Sequence, residues 1–182
     1  AHTRFVAWWD EILIEMLEST GADKPILSSY PPSFTRVDGK DHIQIQKGVQ
    51  RLKLGALNRD LTLQMTGEQA PDQHAPGTSH FIAAGQLFTL GRFVTDVPYD
   101  PQIYFDGEEI NLAIRAYTHG YDIFYPHCSV IHHLYGHGAD KHWTDHPART
   151  RVLTSESKRR LRLLLVGDPQ LLTPYGVGTE RT

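Results

Sequence analysis

Between Ile110 and Tyr117 the apolar residues Ile110, Ala113, Ile114 and Tyr117 recur at i, i+3, i+4 and i+7, which predicts an amphipathic helix ended at Gly120. An acidic turn, Phe105-Asp106-Gly107-Glu108-Glu109, stands ahead of it. Behind it, Tyr121 to Tyr125 is rich in β-formers and is halted by Pro126; Ser129-Val130-Ile131 predicts a second short extended run leading into His132 and His133. The order is acidic turn, helix, strand, histidine strand. Carboxylates at the mouth of a helix and imidazoles at the end of a later strand can converge on one cleft.

The rest of the chain is patterned around that stretch. Trp8, Ile12, Leu13, Met16 and Leu17 form a helical stripe from about residue 7 to 20, closed by Gly21. Pro25 opens an extended run that Pro31-Pro32 stops. Asp38-Gly39-Lys40 is a turn signal, and Ile43, Ile45, Leu61, Leu63 and Met65 alternate with polar residues, predicting half-buried strands in one small antiparallel ribbon. Residues 67–79 carry no period and read as a loop that could close over a substrate. Residues 81–90 are apolar and rich in small side chains, so a backbone or ligand can approach closely at Ala83 to Gly85. A helical turn is expected over 91–94, and a basic amphipathic helix over 148–166 with Val152, Leu161, Leu164 and Leu165 inward. Residues 167–182 read as a tail with little structure of its own.

Composition narrows the possibilities. With 182 residues, 40% of them hydrophobic, the chain can bury one sizeable core, and one body is expected rather than two. Eighteen basic against 21 acidic residues leave a charge of -3, so no net pull toward nucleic acid or a membrane surface is expected. No run approaches the roughly 18 apolar residues of a membrane span. The single cysteine, Cys128, excludes an internal disulfide and fits a reducing, cytoplasmic setting. The chain begins at Ala1 rather than methionine, so an upstream portion is expected.

Each candidate residue also has a plain structural reading. Asp106 can cap the helix while Glu108 and Glu109 complement its dipole; alternatively one glutamate faces a cleft and orients or deprotonates an acceptor hydroxyl. His127, His132, His133, His137, His142 and His146 fall within twenty residues of each other, beside Cys128. They lack a paired C-x-x-C or an H-E-x-x-H, so a closed zinc site is a weak match. His132 and His133 are adjacent on a strand and point to opposite faces, so only one can reach a given site. No motif marks Cys128 as a nucleophile. Trp8 and Trp9 suit packing, whereas Trp143, in a polar histidine-rich loop, can stack on a sugar or cover a ligand. The basic run Lys158 to Arg162 suits a solvated helix face or an acidic partner protein.

With these residues in view, the chain resembles a GT-A glycosyltransferase. More narrowly, it resembles the N-acetylglucosaminyltransferase family whose eukaryotic members modify hydroxyproline on a cytoplasmic ubiquitin-ligase adaptor; the order is also similar to that of the polypeptide N-acetylgalactosaminyltransferases. His2-Thr3-Arg4-Phe5 and the following helix resemble the continuation of the family's D-x-H metal motif, so the resemblance covers residue 1 to about 166 and leaves 167–182 as a tail. It implies an α/β fold, the C-terminal, acceptor-side half of GT-A, with a mixed sheet flanked by helices. It makes His2 the last member of D-x-H, with the aspartate expected just before Ala1, and His132 the later metal-binding histidine, with His133 as the alternative. Glu108 and Glu109, with Asp106 in the same turn, match the acidic turn that contacts donor sugar and acceptor, and Ala84 and Gly85 match a small-residue strand lining the donor. The implied cofactor is a manganese-type divalent ion that neutralises the diphosphate leaving group, and the implied reaction moves a sugar, N-acetylglucosamine by the resemblance, from a UDP-sugar to a protein hydroxyl with retention. The nucleotide-binding half is expected ahead of Ala1, and the 182 residues alone are expected neither to bind donor nor to turn over. Two other classes compete: a non-catalytic remnant binding a protein or glycan, and a histidine-rich zinc protein.

Overall fold

The computed structural model describes residues 2–43, 48–58, 63–105, 107–135, 142–167 and 173–181, the side chain of His142 excepted. The chain divides into two compact units where length alone predicts one body. The first takes in Ala1–Lys53, Gly67–Leu90 and Asp122–His137, and the second Leu54–Thr66, Gly91–Tyr121 and Gly138–Thr182.

In the first unit, strand β1 (Thr3–Phe5) leads into helix α1 (Trp9–Ser19), whose stripe buries Leu13, Met16 and Leu17. These pack with Leu27 of β2 (Pro25–Ser28) and with Val130 and Ile131 to form the core of this unit. All four residues of β2 are buried, as expected of a strand with neighbours on both edges.

Asp38 and Gly39, both at positive φ (50° and 75°), make a two-residue hairpin loop between β3 (Phe34–Val37) and β4 (Lys40–Ile43). Positive φ at both loop positions is the type I′ geometry that Asp-Gly favours. Strand β5 (Gln50–Leu57) pairs with β6 (Leu63–Gln69). The single ribbon expected from sequence is therefore two: Ile43 lies in β4, whose partner is β3, while Leu63 and Met65 lie in β6, whose partner is β5. Ile45 and Leu61 fall outside the described residues. Strand β5 escaped the pattern because only Leu52 of its eight residues is buried.

Residues 67–79 are not wholly loop, since Gly67–Gln69 complete β6 and Gly77–Ser79 form β7. Gly77 accounts for part of this: a Cβ there would lie 2.2 Å from Tyr125 Cζ, so the ring crosses a position that must lack a side chain, and no hydrophobic period announces the strand. Strand β8 (Leu87–Thr89) runs antiparallel to β2, β9 (Asp122–Tyr125) runs parallel to β2, and β7 runs antiparallel to β9. The result is a mixed sheet in the order β7-β9-β2-β8.

The second unit holds helices α2 (Phe93–Asp96), α3 (Glu108–Thr118), α4 (His142–Asp145) and α5 (Pro147–Val166), while β10 (Ile131–His133) belongs to the first. Of the face predicted for helix α3, Ile110 and Ala113 are buried, but Ile114 is half-buried and Tyr117 is 53% exposed; Asn111, Arg115 and Ala116 take the other inward positions. On α5 the predicted Leu161 and Leu164 are buried, but Val152 and Leu165 are 64% and 39% exposed, and polar Ser157 and Arg160 take inward positions. Those two serve the preceding loop: Ser157 Oγ accepts from Tyr104 N at 2.6 Å, and Arg160 pairs with Asp100. The described tail residues have no regular element yet are tied down. Gly178 N donates to Thr118 Oγ1 at 2.9 Å, and fully buried Arg115 donates to the carbonyls of Pro98 and Gly176.

Tyr121 gives this unit a titratable core group. Fully buried, it donates its hydroxyl to Asp96 Oδ2 at 2.8 Å and meets Phe93 edge-on. Burial first, then the hydrogen bond to Asp96 and the charge of that carboxylate, push its pKa up to about 12. An unfolded tyrosine ionises near pH 10, so the raised native value adds stability that is fully present below about pH 10 and is lost as pH rises toward 12. Urea midpoints of the wild type should therefore fall between pH 10 and 12. Tyr121→Phe should start about 1 kcal/mol lower at neutral pH and lose most of that alkaline slope. An equally steep slope in the variant would assign the loss to other groups.

Candidate functional site

The histidines of the first unit are placed by strand pairing. β1 and β10 are antiparallel with Thr3 opposite His133, Arg4 opposite His132 and Phe5 opposite Ile131; one step further out, Leu134 N donates to His2 O at 2.8 Å. The pairing follows from sequence, because Val130 and Ile131 are buried apolar residues and the core fixes the register of the residues that follow them. His132 and His133 accordingly alternate faces. His132 is buried, burial pulls its pKa down, and its Nδ1 has no hydrogen-bond partner among the described residues. His133 is half-buried, with its ring 4.4 Å from that of Tyr135 and 6.4 Å from that of exposed His2, edge-on at 79°. The imidazole set beside His2 is thus the alternative, His133.

Arg4, opposite His132, is committed elsewhere. Its Nε donates to Asp41 Oδ2 at 2.6 Å and its guanidinium lies over the Phe34 ring. Arg36, bonded to the other Asp41 oxygen, and then Arg4 hold that carboxyl below the usual range. Among the described residues no group of three or more His, Cys, Asp or Glu side chains is arranged to hold a metal ion. The half-buried Cys128 packs against the α1 core and its thiol is pushed up by burial, which lends no support to a nucleophile.

Ala84 and Gly85 sit at the exposed tip of a turn rather than in a strand, between bridged Ala83 and Gln86. Ser28 fixes the turn from β2: its Oγ accepts from Ala83 N at 2.8 Å and donates to Gln86 O at 2.7 Å. The close neighbour that the small residues admit is Pro31, whose Cδ would be 2.9 Å from a Cβ on Gly85. Pro31 also borders a cleft of about 470 Å³ walled by residues 30–33, Gln50, Gly67 and Tyr135, a volume within the usual range of small-molecule sites.

In the second unit the acidic turn is built by backbone conformation. Gly107 precedes α3 at φ 93°, and a Cβ there would also press on Leu161 Cδ2 at 3.2 Å. Asp106 lies outside the described residues, and no side-chain hydrogen bond caps the helix at Gly107. Glu108 and Glu109 occupy the first turn, half-buried, where the helix dipole favours negative charge. Burial, then the charge of Glu108 ahead of Asp100 and Glu109, raises the pKa of the Tyr99 phenol, which places that hydroxyl in the field of both glutamates. Trp143, half-buried, lies 4.8 Å from the ring of Phe105. Phe105 was not singled out from sequence; half-exposed and at φ 57°, it holds a left-handed conformation that costs a non-glycine residue about 1–2 kcal/mol. Its position just ahead of an Asp-Gly turn was the available signal. His137 and the side chain of His142 lie outside the described residues, and His146 is exposed.

A protein-family model described as Glycosyltransferase (GlcNAc) matches residues 1–179. No curated protein matches the chain. No helix among the described residues is long and apolar enough to cross a membrane.

Proposed function

Because the chain belongs to the Glycosyltransferase (GlcNAc) family, whose chemistry calls for a nucleotide-sugar donor and an acceptor, we propose that it serves a metal-dependent transfer of N-acetylglucosamine from a UDP-sugar to a protein hydroxyl, with retention. The mixed sheet backed by α1 is consistent with the acceptor side of a GT-A fold. The observation that carries the reading is the meeting of His2 and His133 in a chain matched by that family over almost its whole length.

In this reading His2 and His133 hold a divalent ion, manganese by the family resemblance, with neutral His132 as the competing ligand. When bound, the ion supplies Lewis-acid neutralisation of the diphosphate leaving group. The protein's own residues have separate work. Glu108 and Glu109, with Asp106 in the same turn, orient the acceptor hydroxyl, and retention leaves no strict need for a protein base. Trp143 and Phe105 offer aromatic surface against a sugar ring. Ala84 and Gly85 border the donor as the tip of a turn.

The test is UDP release from UDP-GlcNAc with manganese by the full-length protein, measured for the wild type and for His2→Ala, His132→Ala and His133→Ala. Release is expected to need the ion, to stop with chelator and in His2→Ala and His133→Ala, and to survive in His132→Ala. Glu109→Gln, which loosens the hold on the acceptor hydroxyl, should lose about 10²-fold in transfer to protein while still hydrolysing donor. Release indifferent to manganese and to all three histidines would overturn the reading, and so would stoichiometric zinc in protein that shows no release.

A further inference from the structure

We propose that the cleft of about 470 Å³ in the first unit is a binding site for an uncharged pyranose ring. None of its walls carries a group that is charged at neutral pH: residues 30–33 supply Tyr30, two prolines and Ser33, and the rest is Gln50, Gly67 and Tyr135. A diphosphate or carboxylate would be desolvated there without a countercharge, so the chemistry selects a neutral ligand.

The surfaces match a sugar on both of its aspects. Tyr135 is 49% exposed although its hydroxyl donates to Pro31 O at 2.9 Å, so what it presents is largely ring carbon, suited to the C–H face of a pyranose. The rim is polar and can act in both directions. Gln50 has an amide with donors and an acceptor, and its Nε2 bond to Gln69 Oε1 is long (3.4 Å) and exposed, so a sugar hydroxyl can take its place. Ser33 adds a hydroxyl of the same dual character.

A Cβ on Gly67 would stand 3.0 Å from Gln50 Oε1 and 3.3 Å from Tyr30 Cδ2, so any side chain at this strand position would push those two residues aside. Tyr135 joins the cleft to the histidines, its ring lying 4.4 Å from that of His133.

The proposal rests on the transferase reading only for the source of the ring, which is either the donor's sugar or a glycan on the acceptor. Saturation-transfer NMR with methyl N-acetyl-β-glucosaminide, without metal or nucleotide, tests the site itself. Transfer to the ring protons is expected in the wild type and should fall about fivefold in Gln50→Ala, the worth of one neutral hydrogen bond, and similarly in Tyr30→Ala. Circular dichroism establishes that both variants fold. No transfer in the wild type, or unchanged transfer in both folded variants, overturns the proposal.

Added UDP-GlcNAc then assigns the source. Displacement of the glycoside means the donor's sugar, and persistence of its signals beside those of uracil means an acceptor glycan. Live glycoside with silent uracil counts against donor use while supporting the cleft. Manganese-dependent UDP release from a protein that never saturates the glycoside sinks the cleft alone.

Discussion

Arg160→Ala should destabilise the protein by about 3–5 kcal/mol, the cost of stranding one member of a buried ion pair. The Arg160 and Asp100 side chains are only 10% and 1% exposed, and Arg160 reaches Asp100 Oδ2 through both Nε (2.9 Å) and Nη2 (2.5 Å). The pair also organises the turn that follows: Asp100 Oδ1 accepts from Gln102 N, and Arg160 Nη1 donates to Gln102 Oε1. Truncation leaves a carboxylate with no water to replace the guanidinium. Arg115 is close enough for Asp100 to act on its titration, and this residual attraction places the expected loss toward the lower end of the range.

Two companion variants separate charge from shape. Arg160→Lys should recover little, because a point charge cannot reproduce the two-pronged contact. The paired change Arg160→Met with Asp100→Leu should recover most of the loss, since a buried pair replaced by apolar residues of similar volume is often neutral. Urea denaturation measures all three. A loss below about 1 kcal/mol in Arg160→Ala would put the pair in the class of exposed ion pairs and contradict its burial.

That ion pair also marks where sequence reading reached its limit. Period 3.6 placed α1, α3 and α5, and β-rich runs bounded by proline placed β2 and β9, because in each case burial of one face decides the conformation. Where burial is slight, as in β5, or where main chain alone makes the pairing, as in β7, there was nothing periodic to read. Arg160 lay in a basic run that reads as a solvated face, and only a partner sixty residues away turns it inward. The candidate site was legible in the same uneven way. The resemblance sets His2 beside a later histidine, but which imidazole lies there depends on a one-residue register of β1 against β10, and a single step moves a side chain to the other face. Phe105 was missed because its left-handed backbone is a property of the turn and not of its composition.

Leu27→Ala is the second large effect expected, about 2–5 kcal/mol, because it opens a cavity in the core of the first unit. Leu27 is fully buried, with residues paired opposite it on both edges, Phe88 of β8 and Phe124 of β9. It belongs to the same cluster as Leu13, Met16 and Leu17 of α1 and Val130 and Ile131. The loss should not stay structural, since Ile131 is the first residue of β10 and His132 and His133 continue that strand. Hydrogen exchange should show the amides of β2 and β9 losing protection in step with global stability. In the variant, the chemical shifts of the His2 and His133 ring protons should change as the packing beneath β10 loosens. Leu27→Met, which keeps the volume, should cost less than about 1.5 kcal/mol and leave those shifts near their wild-type values. If Leu27→Ala costs its full 2–5 kcal/mol and the imidazole signals do not move, the histidine pair is held by its own strand pairing and not by the core under it.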